Sequence, residues 1–384
     1  MTLTQTASIR RFHQEGSPDH HGLTGSHRES HGRRPAEADA WHTKVFLDVM
    51  RGTPGDDVIE TSREAAPSVR LWHNAWLSGA AGDDYLIATN RVASHETVLL
   101  SRWLDGGPGS DQLTVEVATM TDASLGRIHD RIRMDGGQGN DGLRYFSDLC
   151  WTTSGGTVTG PVRIDLRQQG GVGDDLMVAF HGIGSGVGGE IITRLDGGSG
   201  DDFLNAAVHA LPGSDADLRI CSTVRGGAGD DTIQTGLYNV DGRCLLLGGT
   251  GNDQITAVGG HARLVGGDGD DILISVRGVG VATGGSGRDT FVIEPLAEHL
   301  IPGSETVLYI ADFDRNEDSL HISYEFPFGD ATLEHVLATT TVVDEGLGRD
   351  VIVHFDSGYR LIFANAGTGD SRSILDVVDS FIFS

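Results

Sequence analysis

The chain has 384 residues with 56 glycines, 5 methionines and 6% aromatic residues, too little apolar bulk for an ordinary globular core of that length. Its formal net charge is −27 and aspartate far outnumbers glutamate, which argues against a nucleic-acid partner needing clustered lysine and arginine. The three cysteines, Cys150, Cys221 and Cys244, make no disulfide framework, and no transmembrane segment is present because no apolar stretch is long enough.

Residues 1–44 are polar, rich in His, Gly, Ser and Arg, and lack a hydrophobic period, so they read as a disordered N-terminal tail. Six of the 16 histidines fall here, but their irregular spacing favours a solvated tail over a transition-metal site. The segment also lacks the apolar run of a secretory signal peptide, so any export is expected to use another route.

Residues 45–293 carry an octet ten times, beginning at Gly52, Gly79, Gly106, Gly136, Gly170, Gly197, Gly226, Gly248, Gly266 and Gly284. "GGDGDDIL" from Gly266 is representative. Every copy has Gly at the first and fourth places, Asp at the sixth and a bulky apolar residue at the eighth. The second place is Gly except at Thr53 and Ala80. Steps between first glycines are 27, 27, 30, 34, 27, 29, 22, 18 and 18 residues. The last two steps are twice nine, one full coil of a nonapeptide solenoid, and the longer ones add excursions. Two places before each first Gly stand Met50, Leu77, Leu104, Met134, Gln168, Leu195, Val224, Leu246, Leu264 and Ala282, all apolar but one. Such a column marks an inward position in period-two structure. Cys221 and Cys244 fall at opposite parities of that period and so are not expected to pair.

Residues 294–384 lose the motif and read as strands joined by turns, with a short helix in "ATLEHVLA". An array end leaves an unpaired edge, and this segment is the natural C-terminal cap.

The octet has two jobs. Its glycines permit positive φ and let carbonyl oxygens turn toward a common point, while the sixth-place Asp adds a carboxylate beside them. Its charge is expected to keep the loop out of the core. A hard cation such as Ca²⁺ takes six to eight oxygens, more than one loop supplies, so two stacked loops must share it. Without the ion, carboxylates one strand apart would repel by about 3 kcal/mol per pair at an effective dielectric near 20. Asp57, Asp84, Asp111, Asp141, Asp175, Asp202, Asp231, Asp253, Asp271 and Asp289 are therefore the expected metal ligands, with calcium as cofactor. Ten loops offer about nine gaps, and about nine Ca²⁺ ions would take the formal charge from −27 to about −9. Folding and calcium binding are expected to be one reaction.

The pattern GGxGxDxUx resembles that of RTX (hemolysin-type) calcium-binding repeats. The resemblance implies an all-β fold, a right-handed parallel β-roll or β-solenoid of about ten coils, with the β-rich cap after it. It also implies a secreted, extracellular or cell-surface protein, exported through a type I secretion apparatus by an uncleaved C-terminal signal. "ADFDRNEDSLHIS", "FDSGYRLIF" and the acids Asp370, Asp376 and Asp379 before "DSFIFS" resemble the C-terminal segment of serralysin-type members. This chain departs from the family in carrying the motif once per coil, which implies one row of ions along one edge.

Weaker features remain. "DFDRNED" (Asp312, Asp314, Asn316, Asp318) lacks the Gly and Glu of an EF-hand loop and reads as a charged turn. Three places before the first Gly, Trp76, Trp103, Arg133, Arg167 and Arg194 would stack outward as a ladder suited to an acidic extracellular polysaccharide. Alternatively the arginines pair with Asp105, Asp135 and Asp196, and excursions cover the indoles. No HExxH, GxSxG or phosphate-loop motif is present. The main expectation is a structural, adhesive or surface-associated role. The alternative is a polysaccharide lyase or epimerase using His129, Asp130, Arg131, Tyr145 and His181 on the outer face or long loops.

Overall fold

The computed structural model describes residues 6–11, 42–65, 69–92, 97–119, 124–149, 157–158, 160–184, 187–211, 217–276, 279–294, 306–322, 341–344, 350–354, 359–364 and 381–382. The expected helix in "ATLEHVLA", the acids Asp370, Asp376 and Asp379, and Cys150 lie outside these residues. The chain divides into two units, residues 1–199 with 205–222, and residues 200–204 with 223–384.

Both units are all-β and built the same way. A strand enters each octet, the octet turns, and a second strand leaves it. Entering strands pair in parallel with entering strands, and leaving strands with leaving strands. In the first unit Val98–Pro108, Ile128–Gln138, Val162–Val172 and Gly189–Ser199 form an entering series. Tyr85–Val92, Gln112–Thr119, Gly142–Leu149 and Leu176–Ile183 form its leaving series. In the second unit Arg243–Thr250, His261–Asp268 and Val279–Ser286 pair likewise, as do Thr232–Tyr238, Gln254–Val258, Ile272–Val276 and Thr290–Glu294. This is a parallel β-roll whose register is the octet step itself.

The period-two alternation fixes which side faces in. The eighth-place residues, from Ile59 to Phe291, are 0–2% exposed, and the column from Met50 to Ala282 is 0–9% exposed. Gln168 keeps its inward place, with Nε2 3.4 Å from Met134 Sδ and 3.4 Å from the Val178 carbonyl oxygen. Cys221 faces out of its strand and Cys244 faces into its coil.

Strands outside the octets pair with an edge in each unit. Thr6–Arg11 pairs antiparallel with Asp57–Ala65, so the disordered tail expected for 1–44 does not hold for these six residues. His42–Lys44 also lies within the strand His42–Arg51, which pairs with Val69–Ser78. An unpaired first coil offers a row of free backbone groups, and the Thr6–Arg11 strand takes them up. In the second unit Thr306–Ile310 continues the entering series and Tyr359–Phe363 follows it in parallel. Val351–His354 and Thr341–Asp344 then close that edge in antiparallel pairing. Phe381–Ile382 adds to Ser319–Ile322.

Candidate metal centre

The octet geometry explains each of its fixed residues. Second and fourth glycines take positive φ, for example 132° at Gly267 and 134° at Gly269, a region open to glycine. Ala80 adopts φ 98° at the second place, a strained value for a residue with a Cβ. The first glycine has a different cause. A Cβ on Gly248 would collide with Asp253 Oδ2 and stand 2.6 Å from the Gly266 carbonyl oxygen of the next coil. Gly79, Gly106, Gly136, Gly170 and Gly266 repeat that arrangement with their own loop's Asp and the next loop's carbonyl. The absent side chain leaves a cradle where a carboxylate oxygen and a carbonyl oxygen from successive coils approach one point.

The sixth-place aspartates are buried, 0–3% exposed in all ten loops. The expectation that charge keeps the loop out of the core fails for this residue. Its physical reason lies in the backbone. The Asp84 Oδ1 accepts the Asp57 N–H at 2.7 Å, Asp111 Oδ1 that of Asp84 at 2.7 Å, and Asp141 Oδ1 that of Asp111 at 2.7 Å. Asp175, Asp231, Asp253, Asp271 and Asp289 accept in the same way from Asp141, Asp202, Asp231, Asp253 and Asp271 at 2.8–3.0 Å. Half of each carboxylate thus belongs to the fold.

The other oxygen makes no hydrogen bond in most loops. Among the described residues, Oδ2 of Asp84, Asp111, Asp141, Asp175, Asp202, Asp231, Asp253 and Asp271 is buried without a hydrogen bond. The two ends differ. In the first loop Thr53 replaces the second glycine, and its N–H and hydroxyl donate to Asp57 Oδ2 at 2.5 and 2.9 Å. Beyond the tenth loop, "DFDRNED" forms a further rung. Asp318 Oδ1 accepts the Asp289 N–H at 3.0 Å, while Asp318 Oδ2 accepts the Asp314 N–H at 2.7 Å. Asp312 caps the Gly284 and Gly285 N–H groups at 2.9 and 3.0 Å. The segment read as a charged turn is therefore an eleventh, glycine-free turn that closes the row.

Burial, ahead of the neighbouring charges, raises the carboxyl pKa from 3.8 to about 7 at Asp84, Asp141, Asp231 and Asp271. It raises Asp111, Asp175 and Asp289 to about 6. An oxygen so placed is stabilised by a proton or by a cation. Among the described residues, no three His, Cys, Asp or Glu side chains gather as a cluster. Each loop brings one buried carboxylate, so the other oxygens beside it are backbone carbonyls. Hard oxygen donors without thiol or imidazole suit calcium rather than zinc or copper.

A second ladder was not anticipated. Fifth-place residues form an exposed chain running the opposite way, in which Asp83 N–H donates to Asp56 Oδ1 and Ser110 N–H to Asp83 Oδ1. Asp230, Asn252, Asp270 and Arg288 N–H groups continue it on Asp201, Asp230, Asn252 and Asp270. Its signal was in the sequence: the fifth place is Asp, Asn or Ser until Arg288, which ends the chain by pairing with Asp270 at 2.9 Å.

The five residues considered for catalysis do not form one site. Asp130, Tyr145 and His181 are 0–1% exposed inside the coil, whereas Arg131 faces outward on the same strand and His129 shares its parity. The inward three join a buried polar chain. Asp48 pairs with Arg63 and with His73 at 2.9 Å, and Asn90 bridges His73 and Arg102 at 3.0 and 3.1 Å. Arg102 pairs with Asp130, whose other oxygen accepts the Tyr145 hydroxyl at 3.1 Å. His181 lies between Ser147 at 3.1 Å and Thr193 at 3.0 Å. Burial lowers the pKa of His73, and takes His181 to about 3, so both are neutral and the two ion pairs balance.

Two parallel sheets joined by stacked glycine–aspartate turns, with buried carboxylate oxygens along the turns, define a metal-loop β-roll. Comparison with protein families finds the RTX calcium-binding nonapeptide repeat in four copies, at residues 187–207, 223–237 and 247–281. These residues carry RTX calcium-binding repeats, and they lie on the parallel β-roll described above. No curated protein matches it. Among the described residues, no helix is long and apolar enough to cross a membrane.

Proposed function

We propose that this chain folds outside the cell around a single row of calcium ions and serves there as a structural, adhesive or surface-associated element. The row of eight buried Oδ2 atoms that make no hydrogen bond carries the reading. A buried carboxylate oxygen without a donor is costly, and a divalent ion between successive loops turns that cost into stabilisation. Asp84, Asp111, Asp141, Asp175, Asp202, Asp231, Asp253 and Asp271 are the interior ligands, and Asp57 and Asp289 flank them. In the first loop Thr53 occupies Asp57 Oδ2, but Asp57 Oδ1 is buried without a hydrogen bond, so the nine gaps counted from sequence stand and about nine ions are expected.

Export through a type I apparatus, with residues 294–384 as cap and C-terminal signal, belongs to the same reading. It is supported by the RTX repeats and by the coupling of folding to calcium, which is scarce in the cytosol. Equilibrium calcium binding to the refolded full chain tests the site: about nine ions are expected, and none or one would refute it. Export tests the rest: removing the segment from Asp370 onward is expected to retain the protein inside a host carrying a type I system. Unchanged release would refute the signal.

A further inference from the structure

One face of the first unit carries a surface that the loop row does not explain. Parallel pairing in register repeats each outward place from strand to strand, so Val49, Trp76, Trp103, Arg133, Arg167 and Arg194 form one row. The Trp76 and Trp103 indoles stack with centroids 4.9 Å apart and 1° between their planes. They are 49% and 47% exposed, and Trp72, four places earlier on the Trp76 strand, is 45% exposed. A contiguous apolar surface of this kind marks a binding site more often than an accident of packing.

From the fourth strand onward the row becomes cationic. Arg133, Arg167 and Arg194 gather on one carboxylate, Asp165, at 3.5, 3.9 and 3.0 Å. Three guanidiniums on one carboxylate leave a positive excess in this row of a chain whose formal charge is −27. Asp105, Asp135 and Asp196 stand at the octet edge, and among the described residues none makes an ion pair with these arginines.

We propose that this row binds an acidic, uronate-bearing polysaccharide, one chain lying across the strands. Sugar rings present flat C–H faces to indoles, and planar guanidiniums bind carboxylates through paired N–H donors. A ladder repeating at every strand, about 4.8 Å apart, fits a linear polymer with repeating charges. The proposal rests on the calcium-loaded roll as the folded form, because the row exists only where successive strands pair in register.

The test uses the full chain at saturating calcium, with its folding followed by circular dichroism. Tryptophan fluorescence is titrated with oligouronates too short to gel with calcium, and with neutral glucan oligosaccharides of equal length. Saturable oligouronate binding is expected, at least about ten-fold tighter than glucan binding. Trp76→Ala with Trp103→Ala is expected to weaken it about ten-fold or more. Arg133→Gln with Arg167→Gln and Arg194→Gln is expected to weaken it and flatten its salt dependence. Absent binding by a folded chain, equal binding of glucan, or unchanged affinity in the tryptophan variant overturns the proposal. So does calcium-dependent self-association that the tryptophan variant abolishes, since a second copy then covers the patch. A chain that is already folded without calcium refutes the calcium reading instead, and oligouronate binding is then scored on that folded metal-free chain.

Discussion

Each unit has its own buried loop aspartates, and the two differ in what fills them. The first unit has long octet steps and an interior crossed by charged and polar groups, from Asp48 and Arg63 through Arg102 and Asp130 to His181 and Thr193. The second has short steps, and apart from the row aspartates its buried polar side chains among the described residues are Thr235 and Ser275. Uniform apolar coils can slide in register by whole steps at little cost, whereas a buried ion pair fits one register only. The difference therefore separates two stabilising devices. On the proposed reading calcium organises both units, and the first unit adds a metal-independent device.

That contrast can be broken most forcefully at Asp130. Asp130→Ala leaves Arg102 buried without its carboxylate and is expected to cost about 3–5 kcal/mol in the calcium-loaded chain. Added calcium should not restore it, as denaturant unfolding would show. In the second unit Gly266→Ala drives a Cβ into Asp271 Oδ2 and the Gly284 carbonyl, with an expected cost of about 1–3 kcal/mol and a lost ion. Asp271→Asn is gentler and more telling. The amide oxygen can still accept the Asp253 N–H, but the buried charge is gone. Calcium stoichiometry should fall by about one while the metal-free chain becomes more stable, by about 1–3 kcal/mol. Equal loss of stability with and without calcium would show that Asp271 serves the fold alone.

The smallest expected effect is that of pH on the metal-free chain. Carboxyl groups raised to about 6–7 in the fold, against 3.8 when unfolded, favour the folded state while protonated. Their burden on folding is absent below about pH 4 and is complete above about pH 7. Metal-free chain should gain order as pH falls from about 8 to about 5, while calcium affinity falls over the same window because protons compete. Circular dichroism and calcium titration at matched pH would check both signs.

Much of this was legible in the sequence because the repeat is local. The octet spacing announced the coils, the eighth-place residues and the column from Met50 to Ala282 announced the inward faces, and Asp at the sixth place announced the row. What was missed depends on contacts between coils. The octet alone does not reveal that each Asp turns inward to accept a neighbour's N–H, nor that Thr53 and Asp314 close the ends. The eleventh rung was hidden because it has no glycine. The buried polar chain did leave a trace. Arg102 and Asp130 sit at the parity of Leu104 and Met134, an inward place for a charge, but their pairing joins strands 28 residues apart in sequence.

The central claim is that the row aspartates and calcium together hold the roll in shape. Its most direct test is a calcium titration of the chelated full chain at pH near 7.5, following far-ultraviolet circular dichroism and hydrodynamic radius. The account predicts an expanded chain that compacts cooperatively into β structure as calcium is added. A chelated chain that is already compact, with an unchanged cooperative melt, would contradict it.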